Sequence, residues 1–270
     1  MVRRAYVVSL LLVSGYSGAA FSQACEALDD ASKRALGVWI ESQAAESTSV
    51  DCGLTLGFAS RDLTKSRSTV LPCLLEIYEY GLSRSPSLWK ATEQPAPQDG
   101  KWALQILRDV DPPTALRLYR EVVEESSKGS DARVRAQVEV ARLGGTEVLQ
   151  ELTAYVAHTT TADTAAQRQL GLDIAGVFAE RDYTQGTGAV KHLESLLPSN
   201  NNVIPVYAAQ LGRDVGRLEE FARRSGSAPL ALQALLRIGR RDVLEKLEAD
   251  PRNTFAQAAR EALRLAPPTP

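Results

Sequence analysis

The sequence predicts an all-α protein, a right-handed α-solenoid of paired helices preceded by an N-terminal helical cap. Three observations carry that expectation. From about Gly100 onward apolar residues recur three and four apart, and no stretch alternates over strand length. Ala, Leu, Arg, Glu and Gln dominate the same region, and all are good helix formers. The segments ARLGGTEVLQEL, AQLGRDVGRLEEF and LRIGRRDVLEKL share one grammar: an apolar residue, Gly, a short polar turn, then a second amphipathic run.

The chain begins MVRRAYVVSLLLVSGYSGAAFSQAC. Arg3 and Arg4 form a positive start, Tyr6 to Val13 an apolar core, and small residues follow Gly15, which is the layout of a secretory signal peptide over residues 1–24. The apolar run is about half the ~20 residues a spanning helix needs. Cleavage is expected after Ala24, with Ser22 two before it, or after Ala20, with Gly18 two before it. No second apolar run of membrane length follows, so the expected mature chain is exported, periplasmic or secreted, without a transmembrane segment. Cleavage at Ala24 would leave Cys25 first, where a bacterial lipoprotein carries its lipid. Cys25 is therefore the candidate lipidation site, although Ser22-Gln23-Ala24 matches that motif poorly and soluble export is the preferred reading.

Residues 25–99 form the expected cap. The apolar helices ALDDASKRALGVWIESQAAES and STVLPCLLEIYEYGL flank a less regular DCGLTLGFASRDLTKSR, and Ser85-Pro86 with the Pro-rich run 95–100 marks the boundary. Trp39, Trp89 and Trp102 have apolar neighbours and are expected in the core. Export places the three cysteines in an oxidising compartment, where pairing is favoured. The expected bridge is Cys52–Cys73, closing a loop with 20 residues between the cysteines. A loop of that size gives about 3 kcal/mol by chain entropy. Cys25 is left over.

Residues 100–270 form the expected repeat region. Thr164-Ala165-Ala166-Gln167 and Thr254-Phe255-Ala256-Gln257 read as capping boxes, and Asp111 before Pro112-Pro113 reads as another helix start. Gly144, Gly212 and Gly239 stand where helices end, suiting a left-handed closing residue. Leu211, Ile238 and Leu265 are 27 apart, and Leu107, Leu143 and Phe178 precede Leu211 by steps of 36, 35 and 33. A period of two helices and two turns is the signature of a helical solenoid, in which each pair buries its apolar stripe against its neighbours.

VRAQVEVARLGGTEVLQELTAYV and LALQALLRIGRRDVLEKLEADPRNTFAQAAREALRLA resemble HEAT repeats, especially the short HEAT-like kind found in bilin lyases. The resemblance covers Gly100 to Pro270 and rests on Ala/Leu spacing and the Gly-polar turn, so it implies shape more than function. In HEAT-like stacks the second helix of each pair lines the concave side. That implies Arg120, Glu124, Gln150, Glu151, Lys191, Glu194, Arg217 and Glu220 as lining residues.

The composition excludes several classes. Net charge is −2 and pI near 5.9, with no general attraction to nucleic acid or anionic membrane. Charge is uneven: residues 25–131 carry 12 basic and 17 acidic side chains, and residues 203–270 carry 11 and 8. A zinc site needs three or four converging ligands. The only histidines, His158 and His192, read as a helix end and a surface residue, and no CxxC occurs, so no metal or cofactor is expected. No GxSxG or HExxH is present. Gly186-Thr187-Gly188-Ala189-Val190-Lys191 lacks the phosphate-loop pattern, and Thr187 capping the next helix accounts for it. Arg213, Arg217 and Arg224 fall on related helical turns and could form a stripe meeting an acidic protein, with no interleaved aromatics for nucleic acid. The function expected is a non-enzymatic scaffold for a protein partner. The alternatives are a chromophore-handling protein or enzyme related to bilin lyases, and a lipid-anchored envelope component.

Overall fold

A computed structural model describes residues 24–44, 61–80, 99–162, 164–196 and 201–265. The signal segment, Cys52, Trp89 and the side chains of Trp39 and Trp102 lie outside the described set. All regular structure among the described residues is helical. The chain divides into two compact units, one ending at Glu121 and one beginning at Val122. The boundary expected at residue 99 therefore falls inside the first unit.

The first unit contains α1 (Asp30–Ala44), α2 (Arg67–Tyr80), α3 (Asp99–Val110) and most of α4 (Pro112–Glu125). Helices α2 and α3 pack together, and Val70, Leu74 and Ile77 of one and Ala103, Ile106 and Leu107 of the other are buried. The expected start at Asp111 is present. Its buried carboxylate accepts from Thr114 Oγ1 at 2.5 Å and pairs with Arg67 at 2.5 Å, tying the front of α4 to the front of α2. Pro112 and Pro113 occupy the first turn, where no intrahelical donor is needed.

The disulfide differs from expectation. Cys73 is bonded to Cys25, not to Cys52. The segment before α1 runs along α2, and the Ala24 amide donates to Glu76 at 3.1 Å, one turn beyond Cys73. Cys25 and Cys73 are fully buried, with Cα atoms 4.5 Å apart. The bridge spans 48 positions, for which chain entropy gives about 4 kcal/mol. It also overturns Cys25 as a lipid carrier, because the sulfur is already in a covalent bond.

The second unit contains α5 (Asp131–Arg142), α6 (Leu149–His158), α7 (Ala165–Glu180), a 3-10 turn (Thr184–Gly186), α8 (Thr187–Leu196), α9 (Ile204–Leu211), α10 (Val215–Phe221), α11 (Ala228–Arg237), α12 (Arg241–Ala249) and α13 (Ala256–Leu265). The odd helices pack in sequence, α5 on α7, α7 on α9, α9 on α11 and α11 on α13. Each of α5, α9 and α11 also packs on the even helix that follows it, and α6 packs on α8.

One closure ends α5, α7, α9 and α11. The amides of Gly145, Tyr183, Asp214 and Arg240 donate to the carbonyls of Val140, Phe178, Ala209 and Leu235, each at 2.9 Å. The preceding residues Gly144, Asp182, Arg213 and Gly239 donate to Ala141, Ala179, Gln210 and Leu236. These are four Schellman closures in one register, and the four residues paired first as acceptors are all buried. The left-handed positions have φ of 108°, 50°, 55° and 75° at Gly144, Asp182, Arg213 and Gly239.

This corrects the expected register. Gly212 has φ −78° and stays right-handed, and Arg213 after it takes the left-handed turn. A non-glycine residue there costs about 1–2 kcal/mol of backbone strain. Asp182 and Arg213, the two non-glycine cases, form an ion pair at 2.5 Å. The expected alignment of Leu211 with Ile238 is thus one residue out: Ile238 is a C-cap, and Leu211 is the last helical residue before its cap.

Further ties join successive odd helices at the same end. The Arg181 guanidinium donates to the Ala141 carbonyl at 2.7 Å and to the Arg142 carbonyl, placing a cation on the C-terminal end of α5. Buried Gln210 donates to the Ala179 carbonyl at 2.8 Å. The Thr164–Gln167 capping box forms in full. The second expected box does not: Asn253 holds that turn, accepting from the Phe255 amide and donating to the Leu247 carbonyl. Gly186 is a packing residue, since a Cβ there would stand 2.5 Å from the Phe178 ring. The Thr187 hydroxyl donates back to the Thr184 carbonyl instead of capping α8.

Candidate functional site

The second unit has an open groove of about 700 Å³ between α5 and α6, rimmed by the turns before α5 and after α6. Local chemistry builds each wall. Gly129 turns left-handed at φ 76°, and Ser130 caps α5 by accepting the Arg133 amide at 3.3 Å. Arg133 is anchored behind by the Val123 carbonyl and reaches Glu151 at 3.0 Å. Buried Gln137 donates to the same Glu151 oxygen at 2.5 Å. The Arg133 hydrogen bond, helped by Gln137, holds the Glu151 carboxyl below its ordinary value despite some desolvation.

The far rim is the loop after α6. The Thr159 hydroxyl donates to the Tyr155 carbonyl at 3.0 Å, and His192 Nε2 donates to the Thr159 carbonyl at 2.8 Å. His192, expected at the surface, instead fastens α8 to the end of α6. The Arg168 guanidinium donates to the Ala162 carbonyl at 3.2 Å. Within the groove, burial raises the Tyr155 hydroxyl pKa, with Asp131 adding to the shift. Among the described residues, no hydrogen bond or ion pair engages the side chains of Lys128, His158, Thr160 or Thr161, or the Tyr155 hydroxyl. A smaller cavity of about 40 Å³ shares Tyr155, Thr159 and Gln167 with the groove and is otherwise lined by apolar residues including Val156, Leu170, Ile174 and Leu193.

The residues expected at the site are only partly brought together. Glu151 lies in the groove; Gln150 and Lys191 are exposed on α6 and α8. Arg120 and Glu124 are exposed on α4, one on each side of the unit division. Glu194, Arg217, Glu220 and Arg224 form a second group around Phe221, where Arg217 and Arg224 each lie 5.4 Å from the ring centroid. Arg217 is paired with Glu194, Arg224 with Glu220 and Arg213 with Asp182. The expected basic stripe is therefore a ladder of ion pairs within the chain.

Sequence reasoning missed Lys128, Tyr155 and the Thr160–Thr161 lip. The polar run HTTTAD between two apolar helices was the visible signal of the lip; Lys128 and Tyr155 lie outside it. No group of three His, Cys, Asp or Glu side chains among the described residues is arranged to hold a metal. No helix among them is long and apolar enough to cross a membrane. Comparison with protein-family models, with curated proteins and with solved structures found no match.

Proposed function

We propose that the chain is an exported, non-catalytic scaffold of HEAT-like helix pairs that binds another protein. The observation that carries this reading is the fourfold recurrence of one Schellman closure in one register, at the ends of α5, α7, α9 and α11. A repeated supersecondary unit that packs on its neighbours builds a broad surface from many small modules, and that surface is what helical repeats offer a partner. The groove between α5 and α6 supports binding, since it lies open while its floor is held by Arg133, Gln137 and Glu151. Export is supported by the Cys25–Cys73 disulfide, a bond that persists in oxidising compartments.

The test is capture on the immobilised mature chain from an extract of the host's exported proteins, followed by lysine cross-linking and mass spectrometry. The expected result is one stoichiometric protein partner cross-linked to Lys128, Lys191 or Lys246, all exposed in the second unit. Recovery of a pigment or other small-molecule cargo with no protein partner would overturn the scaffold reading in favour of the bilin-lyase-like alternative.

A further inference from the structure

We propose that the groove between α5 and α6 takes an extended acidic segment of the partner protein, with Lys128 as its anchor. This rests on the scaffold reading and narrows it to one site and one chemistry. The charges in the groove decide the sign of the ligand. Arg133 and Glu151 neutralise each other at 3.0 Å, and Gln137 is committed to the same carboxylate. Lys128 is then the charge among the described lining residues without a salt-bridge partner; its field reaches Glu151, and Asp131 stands nearby on the Tyr155 side.

The hydrogen-bonding groups point the same way. The Tyr155, Thr160 and Thr161 hydroxyls and the Lys128 ammonium can all donate, and none is engaged among the described residues. A carboxylate only accepts, and charge-assisted bonds to it are about twice as strong as neutral ones. A groove of about 700 Å³ matches a short peptide or a drug-sized molecule. One unpaired cation suits isolated carboxylates and does not suit a polyphosphate backbone, whose binding neutralises several charges together. The adjoining 40 Å³ cavity, walled by Val156, Leu170, Ile174 and Leu193, adds room for a small aliphatic side chain beside the acid.

The test uses the full mature chain with its disulfide intact, labelled with nitrogen-15. The probe is an N-acetylated, C-amidated hexapeptide alternating Asp and Val, compared with the same peptide carrying Asn in place of Asp. The expected result is amide shift changes clustered in residues 128–137 and 151–161, with the Asp peptide binding at least about fivefold tighter than the Asn peptide and weakening as salt rises. Lys128→Gln should remove most of that preference, and unchanged melting of this variant shows that it folds. No shift changes in the groove, equal binding of the two peptides, or an unaffected Lys128→Gln variant would each overturn the proposal. Capture of a protein partner by the wild-type chain alongside any of those results would leave the scaffold standing and remove only its acidic-groove assignment. Loss of both would remove both.

Discussion

The two units of this chain are held by different means. In the first, a covalent bond joins Cys25 to Cys73 and a buried carboxylate, Asp111, links the starts of α2 and α4. In the second, no described residue forms a disulfide, and order comes from one helix closure used four times and from side chains that tie α7 to α5 and α9 to α7. Where a module repeats, each helix pair has a neighbour against which to bury its stripe, and packing accumulates along the series. Where it does not repeat, a limited core gains most from a cross-link that restricts the unfolded chain. Cys25 and Cys73 lie in the unit without the recurrent closure.

The sharpest test of that contrast is removal of the bridge. Cys25→Ser with Cys73→Ser should destabilise the first unit by up to about 4 kcal/mol. Hydrogen exchange should show protection lost in α2 and α3 and retained in α9–α12. Uniform loss across both units would mean that their stabilities are not separable.

The reciprocal change is Leu235→Ala. Leu235 is fully buried in a cluster with Val206 and Ala209 of α9, Leu218 of α10, Val243 and Leu244 of α12 and Ala259 of α13. A cost of about 3 kcal/mol is expected in chemical denaturation, falling on the second unit. A cost below about 1 kcal/mol would show that these helices do not share one core.

A smaller effect isolates the closure itself. At Gly239 a Cβ would have nothing within 4 Å, but φ is 75°. Gly239→Ala should therefore cost about 1 kcal/mol through backbone conformation alone. Arg213→Gly removes that strain and an exposed ion pair together, and should change the melting midpoint very little.

The smallest expected effect is ionic. Lys246 at 2.8 Å and Arg223 at 3.2 Å hold the Glu219 carboxyl below its ordinary value of 4.5. Such a depressed carboxylate contributes stability above the unfolded pKa and loses it as pH falls through the lower folded value. The second unit should weaken progressively below about pH 4.5, and Glu219→Gln should reduce that loss by at most about 1 kcal/mol. Acid titrations of the two proteins that superimpose would exclude this contribution.

Much of this architecture is legible in the residues themselves. The Thr164–Gln167 box and the Asp111 start are encoded within a few positions, and both form as local chemistry dictates. Gly144 and Gly239 announce their closures because only glycine takes φ above zero without strain. Arg213 is invisible by the same rule, since its left-handed turn is accompanied by a pair with Asp182, 31 residues away. The disulfide is hidden for a similar reason: the path of the segment before α1 along α2, not readable from nearby residues, brings Cys25 to Cys73. The groove combines both cases. Its Ser130 cap is local, but its floor depends on Glu151 meeting Arg133 and Gln137 from another helix. On the surface, periodicity placed Arg217 and Arg224 on one side and did not show Glu194 and Glu220 paired with them.

The ties between successive helices have a mechanical consequence. Between α5 and α7 and between α7 and α9 side chains reach main-chain carbonyls, Arg181 those of α5 and Gln210 one of α7, beside the Asp182–Arg213 ion pair. Between α8 and α10 and between α10 and α12 they are ion pairs, Arg217 with Glu194 and Lys246 with Glu219. Added salt screens partly exposed pairs of opposite charge and leaves a buried amide-to-carbonyl bond such as that of Gln210 nearly untouched. Rising ionic strength should therefore loosen the α8–α10 and α10–α12 contacts while the Gln210 bond keeps α9 fastened to α7.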